Sequence, residues 1–163
     1  MNRLKKVAKE ILIASLILFV LSNIISYIRK PNLDSSHLPN IEVILLNGST
    51  FKPNTDKPIV IHFWATWCPT CKLEADNIER IAKNYQVLTI AVNSGENKKI
   101  QAYMQERKLT FNVLNDNKGT WATQFKVQAY PTTFIYDSKS ELRFSEVGYT
   151  TSAGLLARLK MIE

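Results

Sequence analysis

Only two cysteines occur among the 163 residues, Cys68 and Cys71. No further pair remains to staple a fold, so a disulfide scaffold of the small secreted kind is excluded. Whatever the two thiols do, they do with each other or with a visiting sulfur. Internal repeats and low-complexity tracts are absent too. With 45% hydrophobic residues, intrinsic disorder is also excluded. A basic surplus on the folded part is a further absence. The net charge is +7, but Arg3, Lys5, Lys6, Lys9, Arg29 and Lys30, less Glu10, place +5 of it in the first thirty residues. The remainder is nearly balanced, which speaks against nucleic acid as a partner.

Charge is missing altogether from Ile11 to Ile28, eighteen residues interrupted only by Ser15, Ser22, Asn23 and Ser26 among small polar side chains. A helix of that length rises about 27 Å, close to the hydrocarbon thickness of a bilayer. Four cations precede the run and two follow it, a bias that keeps the N-terminus inside and exports everything after Lys30. The expectation is an N-terminal membrane anchor over residues 1–30 in the bacterial cytoplasmic membrane, with the rest facing the periplasm or the outside. A cleaved signal peptide is the competitor, with Ile11–Leu21 as its apolar region. Ser22-Asn23-Ile24-Ile25-Ser26 matches a cleavage site poorly. Either reading exports the domain.

Residues 31–39 are rich in turn formers (Pro31, Asn32, Asp34, Ser35, Ser36, Pro39) and read as a linker, leaving 40–163 as one domain. Ile41–Leu46 and Thr50–Phe51 flank Asn47-Gly48, a hairpin signal. Pro58–Trp64 is a β-branched and aromatic run, as expected of a strand buried on both faces. A helix is predicted from about Cys68 to Asn84, with Leu73, Ile78 and Ile81 apolar, and a second buried strand over Gln86–Val92. Then come a helix at Glu96–Lys108, a short strand at Phe111–Leu114, a short helix at Thr120–Phe125, strands at Thr132–Tyr136 and Leu142–Tyr149, and a final helix capped by Ser152. Consecutive βαβ units, then a hairpin and a closing helix, imply an α/β fold with a mixed central sheet flanked by helices.

The chemistry concentrates in Phe63-Trp64-Ala65-Thr66-Trp67-Cys68-Pro69-Thr70-Cys71-Lys72, where a central strand ends and a helix begins. A nucleophilic sulfur must be a thiolate near neutral pH, and the amides and dipole at a helix N-terminus favour that charge. The second sulfur, three residues on, lies on the same helical face and can close a small disulfide ring. Proline after Cys68 suits the first helical turn, where its missing N–H costs nothing.

Phe-Trp-Ala-Thr-Trp-Cys-x-x-Cys resembles the thioredoxin superfamily. In its Trp-Cys-Pro-Thr-Cys form it resembles the membrane-tethered bacterial thiol–disulfide proteins of the TlpA, ResA and cytochrome c maturation type. The chain is more specifically similar to suppressor of copper sensitivity D-type proteins through Asn93-Ser94-Gly95-Glu96, Asn115-Asp116, Tyr130-Pro131-Thr132-Thr133-Phe134 and Val147-Gly148-Tyr149-Thr150-Thr151. The likeness implies a thioredoxin fold over roughly residues 40–160 and exchange of disulfides with client proteins through Cys68 and Cys71. It implies work in the reducing direction with electrons from a membrane thiol transporter of the DsbD kind, and a setting of copper tolerance or cytochrome c maturation. The redox-active pair carries the electrons itself, so neither metal nor organic cofactor is expected. The resemblance also implies a cis Tyr130–Pro131 bond, placing that loop against the sulfurs. From the residues alone, Pro131 is a proline allowed at a strand's first position.

Trp67, Pro69, Thr70, Tyr130 and Pro131 are the candidates for client contact and tuning of the pair. Trp64 is read as either site wall or core, and Trp121 and Phe125 as core. Lys72 and Glu74 read as solvated, although Lys72 is placed to tune the sulfur charge. His62 stands where thioredoxins carry a buried acid, six residues before the first cysteine. It is either a proton relay for the second thiol or a neutral core histidine. His37 falls in the linker without an assigned role. A rival function is copper binding or delivery, with Cys68, Cys71 and a histidine as soft ligands. Both histidines lie upstream of Cys68, which leaves that ligand set short. A non-catalytic tethered module is the third possibility, disfavoured by a cysteine pair in so reactive a setting.

Overall fold

The structure, a computed structural model, describes residues 2–163, without the side chains of 2–5, 19, 22, 23 and 25–27. The chain divides into two compact units, residues 1–30 and 31–163. The first is the helix α1 (Asn2–Ile28). Among the described residues no helix is long and apolar enough to cross a membrane. The uncharged run Ile11–Ile28 passes through six positions whose side chains lie outside that set, as do Arg3 and Lys5 and the residues Ser22, Asn23, Ile25 and Ser26 weighed as a cleavage site.

The second unit is built on β3 (Ile59–Trp64), all six of whose residues are buried. Alternation sends Val60 and Trp64 to one face and Ile59, Ile61 and Phe63 to the other, each into its own apolar core. A strand covered on both faces belongs in the middle of a sheet, and β3 pairs in parallel with β4 (Gln86–Val92) and antiparallel with β6 (Thr132–Tyr136). The parallel β5 (Asn112–Asp116) and the antiparallel β7 (Leu142–Val147) complete a five-stranded order β5-β4-β3-β6-β7. A separate hairpin, β1 (Val43–Ile44) with β2 (Thr50–Phe51), turns at Asn47-Gly48, where Gly48 adopts a φ of 85°.

Helix α2 (Pro69–Ala82) crosses from β3 to β4 and packs on one face with α3 (Asn97–Glu106) and α5 (Ser152–Lys160). The short α4 (Thr120–Gln124) and Phe125 cover the other, where Phe63, Phe125 and Phe134 stack at 5.1–5.9 Å between centroids. Three local expectations change. Leu73, expected on the apolar face of α2, is 73% exposed; the buried stripe is Cys71, Glu74, Ala75, Ile78 and Ile81. The cap of α5 is Thr151, whose hydroxyl accepts from Gly154 N at 3.1 Å, one residue before Ser152. Residues 31–39, read as a linker, dock on the domain. Leu33 and Leu38 pack on the core, Leu38 N donates to Ser140 O, Leu142 N donates to Ser36 O, and His37 pairs with Glu141 at 2.8 Å. Turn-forming composition marks irregular backbone but does not report the two leucines that hold it down.

The stripe on α2 sets a test. Ile78→Ala should cost about 2–5 kcal/mol, whereas Leu73→Ala should stay within about 0.5 kcal/mol. Urea denaturation of both variants measures the difference.

Candidate active site

Where β3 runs out, Ala65, Thr66 and Trp67 carry the chain from the sheet into α2. Cys68 sits at the N-cap with extended backbone, φ −84° and ψ 115°, and Pro69 opens the helix. The sulfur does what an N-cap oxygen usually does: Cys68 Sγ accepts the backbone N–H of Cys71 at 3.1 Å. Cys68 and Cys71 are joined as a disulfide with their Cα atoms 5.3 Å apart. Both sulfur residues are more enclosed than a reactive thiol ordinarily is, Cys68 at 4% and Cys71 at 2% exposure. Pro69 is exposed and Thr70 half-buried on the outer side of the turn.

The loop before β6 closes over the pair. The Tyr130–Pro131 bond is cis, and the Tyr130 carbonyl oxygen lies 3.6 Å from Cys68 Sγ. Trp67, next to Cys68 in the chain, is 54% exposed yet held. Its Nε1 donates to Asn93 O at 3.1 Å and its ring meets Tyr130 edge-on at 5.8 Å. Asn93-Ser94-Gly95-Glu96 thereby gains a purpose. Asn93, at φ 46°, turns its carbonyl to Trp67, and Ser94 Oγ accepts from Thr66 N at 3.0 Å while donating to Val92 O. Asn93 N in turn donates to Asp116 O. Burial, with the Asp116 carboxylate adding to it, raises the Tyr130 phenol above its ordinary value. Trp64 belongs to the core, stacked on Tyr103 at 5.3 Å.

His62 is enclosed at mid-strand, opposite Thr89 and Thr133, with Nδ1 sharing a hydrogen bond with the Thr133 hydroxyl at 2.9 Å. Burial drives its pKa down to about 3, so it is neutral near pH 7 and takes up no proton there. Glu74 is the residue the sequence reading missed. It is fully buried one turn beyond Cys71 on the same face of α2, not solvated. Its Oε1 accepts from Thr150 N at 3.0 Å, while Oε2 is buried with no hydrogen-bond partner. Burial pushes its pKa up to about 8, against the opposing pull of the Thr150 N–H. The signal was present: 71, 74, 75 and 78 follow the i, i+3, i+4, i+7 spacing that puts position 74 on the inner stripe. Among the described residues no three of His, Cys, Asp or Glu gather into a metal-holding group.

A family model described as the AhpC/TSA family matches residues 36–145. A thioredoxin-like protein of Haemophilus influenzae is 30% identical over 99% of this chain and 98% of its own length. The sporulation thiol-disulfide oxidoreductase A of Bacillus subtilis is 28% identical over 63% of this chain and 67% of its own. The crystal structure of StoA from Bacillus subtilis superposes with a TM-score of 0.66 at 23% identity, covering 76% of this chain and 98% of that one. The fold and the paired sulfurs define the class, a thioredoxin-like thiol–disulfide oxidoreductase. The chain belongs to the AhpC/TSA family.

His62 and Glu74 together shape the pH profile. Below about 6.5 the unfolded chain protonates His62 and the folded chain does not, so stability falls with acid until about pH 3. Above about 4.5 the unfolded chain ionises Glu74 and the folded chain does not, so stability falls with alkali until about pH 8. Each contributes a slope of about 1.4 kcal/mol per pH unit. The slopes oppose one another between about 4.5 and 6.5, giving a plateau there. Chemical denaturation across pH should find that plateau in the oxidised protein, and Glu74→Gln should abolish the decline between about pH 6.5 and 8.

Proposed function

We propose that this protein reduces disulfides of exported client proteins by thiol–disulfide exchange at Cys68 and Cys71. The observation that carries the reading is the Cys68 sulfur at the N-cap of α2, accepting a helix amide with the Tyr130 carbonyl 3.6 Å away. In the reduced protein those amides hold Cys68 as thiolate. The thiolate attacks a client disulfide, one Cys68–client S–S bond forms, the client S–S bond breaks, and the departing client sulfur takes a proton from solvent. Cys71 then loses its proton and attacks the Cys68 sulfur. The Cys68–Cys71 bond forms, the mixed disulfide breaks, and the second client sulfur leaves as thiolate and takes a proton from solvent. Two electrons and two protons pass to the client, and no metal or organic cofactor is required.

The proton of Cys71 needs an acceptor, and Glu74 suits it better than His62. Near pH 7 a carboxyl with a pKa near 8 is mostly protonated, and its carboxylate fraction of roughly a tenth is the form that accepts the proton; an imidazole near 3 is too weak a base to hold it. Trp67, Pro69, Thr70, Tyr130 and Pro131 border the sulfurs and take the roles of client contact and tuning. A copper-delivery role finds less support, because Cys68 and Cys71 are bonded to each other and His62 commits Nδ1 to Thr133.

The helix α1 serves as a membrane anchor in this reading. Ile11, Leu12, Leu16, Leu18 and Leu21 are all exposed at spacings that circle the helix, which suits lipid better than water. The domain then works outside the cytoplasm, re-reduced by a membrane thiol transporter of the DsbD kind. Copper tolerance or cytochrome c maturation is the setting the resemblance favours.

Cys71→Ser should accumulate mixed disulfides with clients in cells, and Cys68→Ser none, on acid-quenched thiol trapping and non-reducing gels. Full reducing activity in both variants would end the exchange reading. Glu74→Gln should slow release of the mixed disulfide on the order of 10²-fold, in the range of a general base removed. Stopped-flow measurement across pH reads the release rate.

A further inference from the structure

The geometry points to a cationic collar at the mouth of the site that selects clients whose disulfide is flanked by acidic side chains. Lys98 and Lys99 occupy the first turn of α3, directly after the loop whose Asn93 carbonyl holds Trp67. The Lys99 stem is laid over Gly95, close enough that a Cβ there would meet its Cδ at 3.0 Å. The head of Lys99 is thus kept near that loop. Lys118 lies in the turn between β5 and α4, which is tied to the same loop because Asn93 N donates to Asp116 O at 3.2 Å. Lys72 follows Cys71 on α2.

All four lysines are exposed, and none pairs with an acid among the described residues. Lys52 is matched with Glu42, Lys126 with Asp34, Arg143 with Asp137 and Arg158 with Glu146, so these four cations are already partly neutralised. Two exposed acids lie on the same segments: Glu96, just before Lys98 and Lys99, and Asp76, a turn beyond Lys72. Asp116 lies beneath the rim, buried and engaged by Ala122 N. Surface charges of one sign near a reactive group raise encounter rates for opposite charge and suppress like charge.

This inference rests on the exchange reading and adds the client's chemistry to it. The test takes the full reduced chain and three short disulfide peptides, identical except for Glu, Gln or Lys on both sides of the disulfide. Second-order rates at about 0.01 M salt should rank Glu over Gln over Lys, with on the order of tenfold between the extremes. At about 1 M salt, where the screening length is about 3 Å, the three should converge. The triple variant K98E/K99E/K118E should invert the order at low salt. Equal rates for the three peptides at low salt, or an order the variant leaves unchanged, overturns the collar. Failure to react with any peptide overturns the exchange reading instead.

Discussion

Everything in the site depends on β3 ending where α2 begins, with a sulfur in the N-cap position. A serine or aspartate there would take a helix amide with oxygen; Cys68 takes the amide of Cys71 with sulfur. The bond survives in the disulfide, but it is stronger for a thiolate, because charge-assisted hydrogen bonds are roughly twice as strong as neutral ones. The cap therefore favours the reduced state. That preference makes Cys68 a better nucleophile and the pair a weaker reductant, since stabilising the thiolate form raises the reduction potential. Work in the proposed reducing direction would then require a donor of lower potential.

The second constraint is the treatment of buried ionisable groups on the α2 side of the sheet. His62 is enclosed, bonded to Thr133 and stripped of its charge. Glu74 is enclosed with only one of its oxygens satisfied. An orphaned polar atom of this kind costs about 1–3 kcal/mol, and a fold keeps it only where something else is gained. The Thr150 N–H that holds Oε1 belongs to the loop after β7, which is also gripped by Asn77, whose side chain donates to Thr150 O and the Tyr149 hydroxyl. The same loop reaches the site's far wall, because Gly148 N donates to Pro131 O at 2.8 Å. Glu74 is thus connected mechanically to the cis-proline loop and, one helical turn away, to Cys71.

Much of this was legible in the residues. Gln86–Val92 and Thr132–Tyr136 have the bounds read from their β-branched runs, because strands buried on both faces carry the least ambiguous pattern. The Cys-Pro-Thr-Cys turn announced both a helix start and its chemistry. Tertiary detail was harder to see. Leu73 is apolar but faces out, and Glu74 is charged but faces in, so reading polarity residue by residue inverted two adjacent positions that helical spacing had sorted. For His62 the residues left a proton relay and a neutral core histidine equally open, because its ordinary pKa is near neutrality; full burial between β4 and β6 decides for the neutral form. The hold of Asn93 on Trp67 spans 26 residues and depends on a left-handed turn, which no local pattern discloses.

Access is the step that joins geometry to selectivity. Cys68 is 4% exposed, with the Tyr130 carbonyl oxygen 3.6 Å from its sulfur and the ring of Trp67, its neighbour in the chain, against that of Tyr130. Trp67 is fixed by its bond to Asn93, so its ring does not yield cheaply to an approaching surface. A sulfur in such a recess is out of reach of a disulfide sunk in a folded partner. On the proposed function, so enclosed a sulfur would favour mobile or incompletely folded clients, and the charges of the proposed collar would act on what reaches it. A long-range field adds rate without new contacts, and restricted access adds discrimination without tight binding. Separating the two lets an exchange enzyme choose its clients yet release them once the second sulfur has closed the ring.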